Sequence, residues 1–128
     1  MSDSHLVLLV GHCGPDSALL RSAASRAIPG ATVEMVNSDE DLGARLSAAS
    51  LLLVNRVLDG AFPSESGIEL IRVLAASEGD TPPLMLISNY AEALEEAEAA
   101  GAVPGFGKAQ VMQPIAAERM RHAVGVDA

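Results

Sequence analysis

Leu51-Leu52-Leu53-Val54, ending at Asn55, has four apolar residues in a row and therefore no polar face. A run of this kind suits a strand covered on both sides, as in a parallel sheet, rather than one half in water. Leu6-Val7-Leu8-Leu9-Val10, stopped by Gly11, and Leu84-Met85-Leu86-Ile87, stopped by Ser88-Asn89, have the same character. Between these runs the apolar period becomes helical. Leu19, Leu20, Ala23, Ala24, Ala27 and Ile28 follow Asp16, a candidate N-cap, and Pro29-Gly30 ends the segment. Val33-Glu34-Met35-Val36 mixes apolar and polar residues as an edge strand does, and Ser38 or Asp39 caps a helix to about Ala49 with Leu42, Leu46 and Ala49 inward.

After Asn55, the segment from Arg56 to Ser66 holds Gly60, Pro63 and two serines and reads as a loop. It leads to a helix on which Ile68, Ile71, Leu74 and Ala75 share a face, broken at Gly79-Asp80-Thr81-Pro82-Pro83. Beyond Ser88-Asn89, Tyr90, Leu94, Ala97 and Gly101 mark the inner stripe of an Ala/Glu-rich helix. Val103-Pro104-Gly105-Phe106 forms a short strand whose proline favours an edge. The last helix carries Met112, Ile115, Ala116, Met120 and Ala123 inward. Five strands alternating with five helices, each connection long enough for a crossover, imply a doubly wound α/β domain with an open parallel sheet.

A chain of 128 residues, 49% hydrophobic, sustains one core without disulfides or structural metal, and two domains do not fit. The apolar runs are too short for a bilayer, the first residues lack the basic and apolar parts of a secretion signal, and the one cysteine, Cys13, has no internal partner. A cytoplasmic protein is expected. Eight basic against seventeen acidic residues give a net charge of −9, which argues against nucleic acid, and two Phe, one Tyr and no Trp supply no stacking platform. A protein partner is the better expectation.

In a doubly wound sheet, ligands lie beyond the carboxyl ends of the strands, here Gly11-His12, Asn55, Ser88-Asn89 and Lys108. Over about residues 5 to 124 the chain resembles the receiver domains of bacterial two-component response regulators. The resemblance rests on Leu51 to Leu58 as the phosphoacceptor strand, Ser66-Gly67-Ile68-Glu69-Leu70-Ile71 as the start of the third helix, Leu84 to Ser88, and Gly101 to Lys108. It implies the flavodoxin-like receiver arrangement, with strand order 2-1-3-4-5, and a pocket in which Ser88 and Lys108 match the residues that contact the phosphoryl group. The segments at 1–4 and 125–128 are expected to fray.

The departures matter as much. Asn55 stands where the family has its phosphoacceptor aspartate, and Gly11 and His12 where it has paired metal-binding acids. A neutral amide supplies no carboxylate nucleophile, and Mg²⁺ needs a cluster of hard oxygen ligands. Gly105 replaces a switching aromatic, Ala109 and Asp59 replace prolines, and the loop from Asn55 to Gly67 is long. The expectation is a pseudo-receiver: no enzyme, no cofactor and no metal, acting by phosphorylation-independent contact with a histidine kinase, a regulator or a second copy, and carrying no output domain. The competing reading is a small-molecule-binding α/β domain using the crevice at Gly11, His12, Asn55 and Ser88. A third keeps Asp59 as a displaced phosphoacceptor.

Each residue also has a plainer role. Asn55 either satisfies backbone groups in its loop or fixes the site in one state by accepting a hydrogen bond from Lys108, whose other neighbour is Asp59 or none. Ser88 and Asn89 are candidate helix caps, and no nucleophile elbow surrounds Ser88. His5, His12, His122 and Cys13 have no zinc spacing, and Cys13 reads as an unreactive loop thiol. Gly11 to Asp16 lacks the third glycine of a dinucleotide turn. The glutamates from Glu92 to Glu98 read as a solvated face or a partner surface.

Overall fold

The computed structural model describes residues 5–77 and 81–125. The segments 1–4 and 126–128, expected to fray, lie outside these residues, as do Gly79 and Asp80 of the expected helix break. The elements run β1 (Leu6–Val10), α1 (Gly14–Ala27), β2 (Thr32–Val36), α2 (Asp39–Arg45), β3 (Leu51–Asn55), α3 (Gly67–Ala76), β4 (Leu84–Ile87), α4 (Ala91–Ala100), β5 (Val103–Phe106) and α5 (Pro114–Val124). Single 3₁₀ turns at Leu46–Ala48 and Lys108–Gln110 follow α2 and precede α5. The strands form one parallel sheet in the order β2-β1-β3-β4-β5.

The all-apolar runs are explained by the two-residue period of a strand. Val7, Leu9, Leu51, Leu53, Met85 and Ile87 point to one face, where α1 and α5 supply Leu20, Ala24, Ala27, Ala116 and Met120. Leu8, Val10, Leu52, Val54, Leu84 and Leu86 point to the other, against Leu42, Ile68, Ile71, Ala93 and Ala97 of α2, α3 and α4. Each large side chain fully buried in this way contributes about 1.5–3 kcal/mol.

Several helix expectations shift by a residue or a turn. Helix α1 starts at Gly14, not Asp16, because Pro15 in the first turn has no N–H to leave unpaired. Cys13 takes the N-cap position and Asp16 lies inside the first turn. Leu19, about 100° round the helix from Leu20, is 49% exposed rather than inward. Ser38 is the α2 cap, accepting from the Asp41 amide at 3.1 Å. Ala75 of α3 is exposed. Tyr90 is 62% exposed at the N-cap of α4, its ring 4.8 Å beneath the Arg56 guanidinium, and Gly101 is the exposed C-cap at φ +122°. Met112 lies in the turn before Pro114 and is 48% exposed.

Strand β5 is an edge, as its proline suggests, and carries a bulge. Met85 pairs with Val103 and Ile87 with Phe106, so two steps on β4 face three on β5. Gly105 lies in that bulge, where a Cβ would overlap the Leu86 carbonyl oxygen. No helix among the described residues is long and apolar enough to cross a membrane.

Candidate functional site

The carboxyl edge of the sheet begins with Gly11, which leaves β1 at φ +72°, a conformation glycine adopts without steric cost. Its amide donates to the Val36 carbonyl at 3.0 Å and its own carbonyl accepts from the Asp59 amide at 2.9 Å. The long β3–α3 loop therefore folds back across the end of β1. Ala61 and Asn37 continue the attachment at 2.8 Å, Asp39 donates to the Ala61 carbonyl at 2.9 Å, and Leu58 donates to Glu65 at 2.7 Å. The loop drives Leu58 inward, where it is 6% exposed. A Cβ at position 11 would stand 2.7 Å from Leu58 Cδ2 and 3.0 Å from its Cα. The space where a side chain at position 11 would begin is occupied by leucine.

Asn55, at the end of β3, is 8% exposed. Its Nδ2 donates to the Gly11 carbonyl at 2.9 Å and to the Val57 carbonyl at 2.8 Å, so both amide hydrogens hold the loop to β1. The expected hydrogen bond from Lys108 is absent. Lys108 Nζ donates instead to Asp16 Oδ2 at 3.0 Å, and neither Asn55 nor Asp59 is its partner. The ammonium beside Asp16 holds that carboxyl below the usual aspartate range. Sequence reasoning missed Asp16 by treating it only as a cap. The signal was its place in the first turn of α1, because this strand order sets α1 beside α5 on one face of the sheet.

His12 is fully buried. Its Nε2 lies 2.8 Å from the Leu53 carbonyl, an acceptor only, so the proton of the neutral ring is on Nε2 and Nδ1 has no partner. Burial first, and then Lys108, push its pKa down to about 4, against the raising effect of the Leu53 bond. The crevice lined by His12, Asp16, Ile87 and Lys108 holds about 10 Å³, no more than one water. Ser88, 3% exposed, accepts from the Tyr90 amide at 3.2 Å in a turn before α4; it is not the helix cap, since Tyr90 takes the N-cap position. Asn89 caps the other connection, its Oδ1 accepting from Ala109 N at 2.9 Å. Asp59 is exposed, and Cys13 is an exposed free thiol. Among the described residues no three His, Cys, Asp or Glu side chains converge as a metal site would require.

The five-stranded order and the position of these loops define the receiver fold. No family model matches the sequence, and neither does any curated protein. Solved structures do. The signal receiver domain of a DNA-binding response regulator from Colwellia psychrerythraea superposes with a TM-score of 0.75 at 12% identity, covering 96% of this chain and 99% of that one. A response regulator receiver protein from Pseudoalteromonas atlantica gives 0.71 at 20% identity over 94% and 97%. A response regulator receiver domain from Rhodospirillum rubrum gives 0.63 at 13% over 94% and 92%. At these identities the likeness is one of fold.

Proposed function

We propose that this chain is a pseudo-receiver, a signal-transduction module that binds a protein partner without phosphorylation and catalyses no reaction of its own. The observation that carries the reading is the Gly11–Leu58–Asn55 arrangement. A receiver's acyl phosphate needs a carboxylate nucleophile and an Mg²⁺ held by oxygen ligands. Here the amide at the nucleophile position is committed to two carbonyls, and an apolar side chain fills the space beside it. Lys108 is neutralised by Asp16 rather than turned toward Asn55. The partner is a histidine kinase, a regulator or a second copy of the chain. The crevice reading, a small-molecule site at Gly11, His12, Asn55 and Ser88, is disfavoured because all four residues are buried, and the one crevice that His12 lines holds only about 10 Å³.

Amide NMR with Mg²⁺ and beryllofluoride, a mimic of an acyl phosphate, tests this on the wild type and on Asn55→Asp. Neither protein is expected to respond, because Leu58 stays in place in both. Saturable shifts in the wild type centred on Asp59, Ser88 or Lys108 would show that phosphoryl chemistry survives and that the proposal is wrong. A response in Asn55→Asp alone would confine the loss to a single side chain.

A further inference from the structure

The loop that seals the pocket also builds a concavity on its outer side. Leu58, Phe62, Pro63, Leu70 and Val73 surround a cleft of about 220 Å³ between this loop and α3. Asp39 and Glu69 stand at its lip. The cleft is smaller than the roughly 300–1,000 Å³ of small-molecule sites and is the right order for one large side chain. Its walls are fixed. The loop is held to β1 and β2 by the hydrogen bonds from Asp59, Ala61 and Asp39, and to itself by Leu58 to Glu65 and Gly67 to Arg56, both at 2.7–2.8 Å. Gly60, at φ +126°, lies so close to Asn37 that a Cβ would overlap the Asn37 carbonyl oxygen.

Exposed apolar surface adjoins the cleft, since Val73 is 56% exposed. The charge around it is acidic. Of the two acids that line it, Glu69 is paired with Arg72 and Asp39 has no ion-pair partner among the described residues; Glu40, Asp59 and Glu65, next in sequence to the lining residues Asp39, Leu58 and Ser64, are exposed and likewise unpaired among the described residues. An apolar socket inside an acidic rim selects a complementary ligand on both counts. We infer that the cleft between the β3–α3 loop and α3 is a docking site for a basic segment of a protein partner, anchored by one large apolar side chain. Leu58 is a wall of this socket and the stopper against Gly11, so the partner would rest on the same side chain that closes the phosphoryl pocket.

The probe is a short Lys/Arg-rich peptide with leucine at its centre, set against the same peptide with central alanine, in amide NMR titrations of the whole chain. The leucine peptide is expected to give saturable shifts centred on residues 58–73, and the alanine peptide to bind about tenfold more weakly through the lost burial. Val73→Glu separates the socket from simple charge attraction. It adds an acid at an exposed helix position, so electrostatics alone would strengthen binding, whereas a filled socket wall abolishes it. Equal binding of the two peptides, shifts centred on Glu92 to Glu98, stronger binding to Val73→Glu, or no shift at millimolar peptide would each overturn the inference. The site deepens the proposed function and rests on it, yet the two fail separately. A beryllofluoride response in the wild type defeats the phosphorylation-independent reading, while a silent wild type with no leucine-dependent shift defeats only this site.

Discussion

The two halves of the sheet's carboxyl edge have been treated differently. At the β1–β3 half, polar groups are consumed internally: Asn55 bonds Gly11 and Val57, Gly11 bonds Asp59, and Leu58 closes the space between them. At the β4–β5 half, Lys108 and Asp16 form a pair about one-third exposed, and Asn89 caps a surface turn. The first half is packed as a core is, the second as a surface is. Their difference bears on the proposed pseudo-receiver, because position 55 is only one of three places, with 11 and 58, at which this edge is closed. The backbone at position 11, at φ +72°, and the loop beside it pack around an apolar residue, so on that proposal restoring one carboxylate is not expected to create a phosphoryl site.

The largest expected effect tests the sealed half. In Asn55→Asp the side chain loses both donors while the Gly11 and Val57 carbonyls remain in front of it, leaving a buried carboxylate facing two acceptors. A cost of about 3–5 kcal/mol is expected near neutral pH. Burial and the carbonyls raise the introduced carboxyl's pKa above its unfolded value of about 4, so the cost shrinks as the pH falls toward that value. Urea unfolding of both proteins at pH 7 and pH 4.5 measures it. An equally stable variant would mean that the half is not sealed by Asn55.

His12, buried between the two halves with its ring on the Leu53 carbonyl and facing the crevice of Asp16 and Lys108, gives the next effect. Its pKa is lowered to about 4 in the folded chain, so between there and about 6.5 the unfolded chain binds the proton more readily. The stability this residue contributes is complete above that window and is lost through it as the pH falls, by about 3 kcal/mol. His12→Gln keeps an N–H donor at this position and never gains charge. The difference between the two proteins' unfolding free energies, followed from pH 7 to pH 4, should therefore carry this slope. A flat difference would mean that His12 is not buried in its neutral form.

The smallest effect belongs to the open half. A double-mutant cycle on Asp16→Ala and Lys108→Ala should give a coupling below about 1 kcal/mol that fades with salt, as partly exposed pairs do. In the same samples the Asn55 side-chain amide resonances should not move in Lys108→Ala. If they do, the two halves of the edge are coupled and are not packed independently.

Much of this was legible in the sequence. Runs such as Leu51 to Val54 needed two covers, and the alternation of strands with helical periods left few topologies. That positions 11, 12 and 55 carry glycine, histidine and asparagine rather than acids is likewise read directly. Errors fell where local pattern competes with three-dimensional placement. Tyr90 and Met112 fitted helical stripes but belong to the turns before α4 and α5, and Leu19 lies beside the stripe rather than on it.

By itself the sequence determined the α/β class, the strands and the residue types at the strand ends, because these follow from residue type and short-range period. Only the tertiary structure decided the partners. Lys108 found Asp16, 92 residues away, and Asn55 found Gly11, 44 away. Leu58 became the stopper because an irregular loop was pinned to the ends of β1 and β2. Such contacts join segments whose spacing in sequence carries no period, so nothing short of the folded sheet brings them into register.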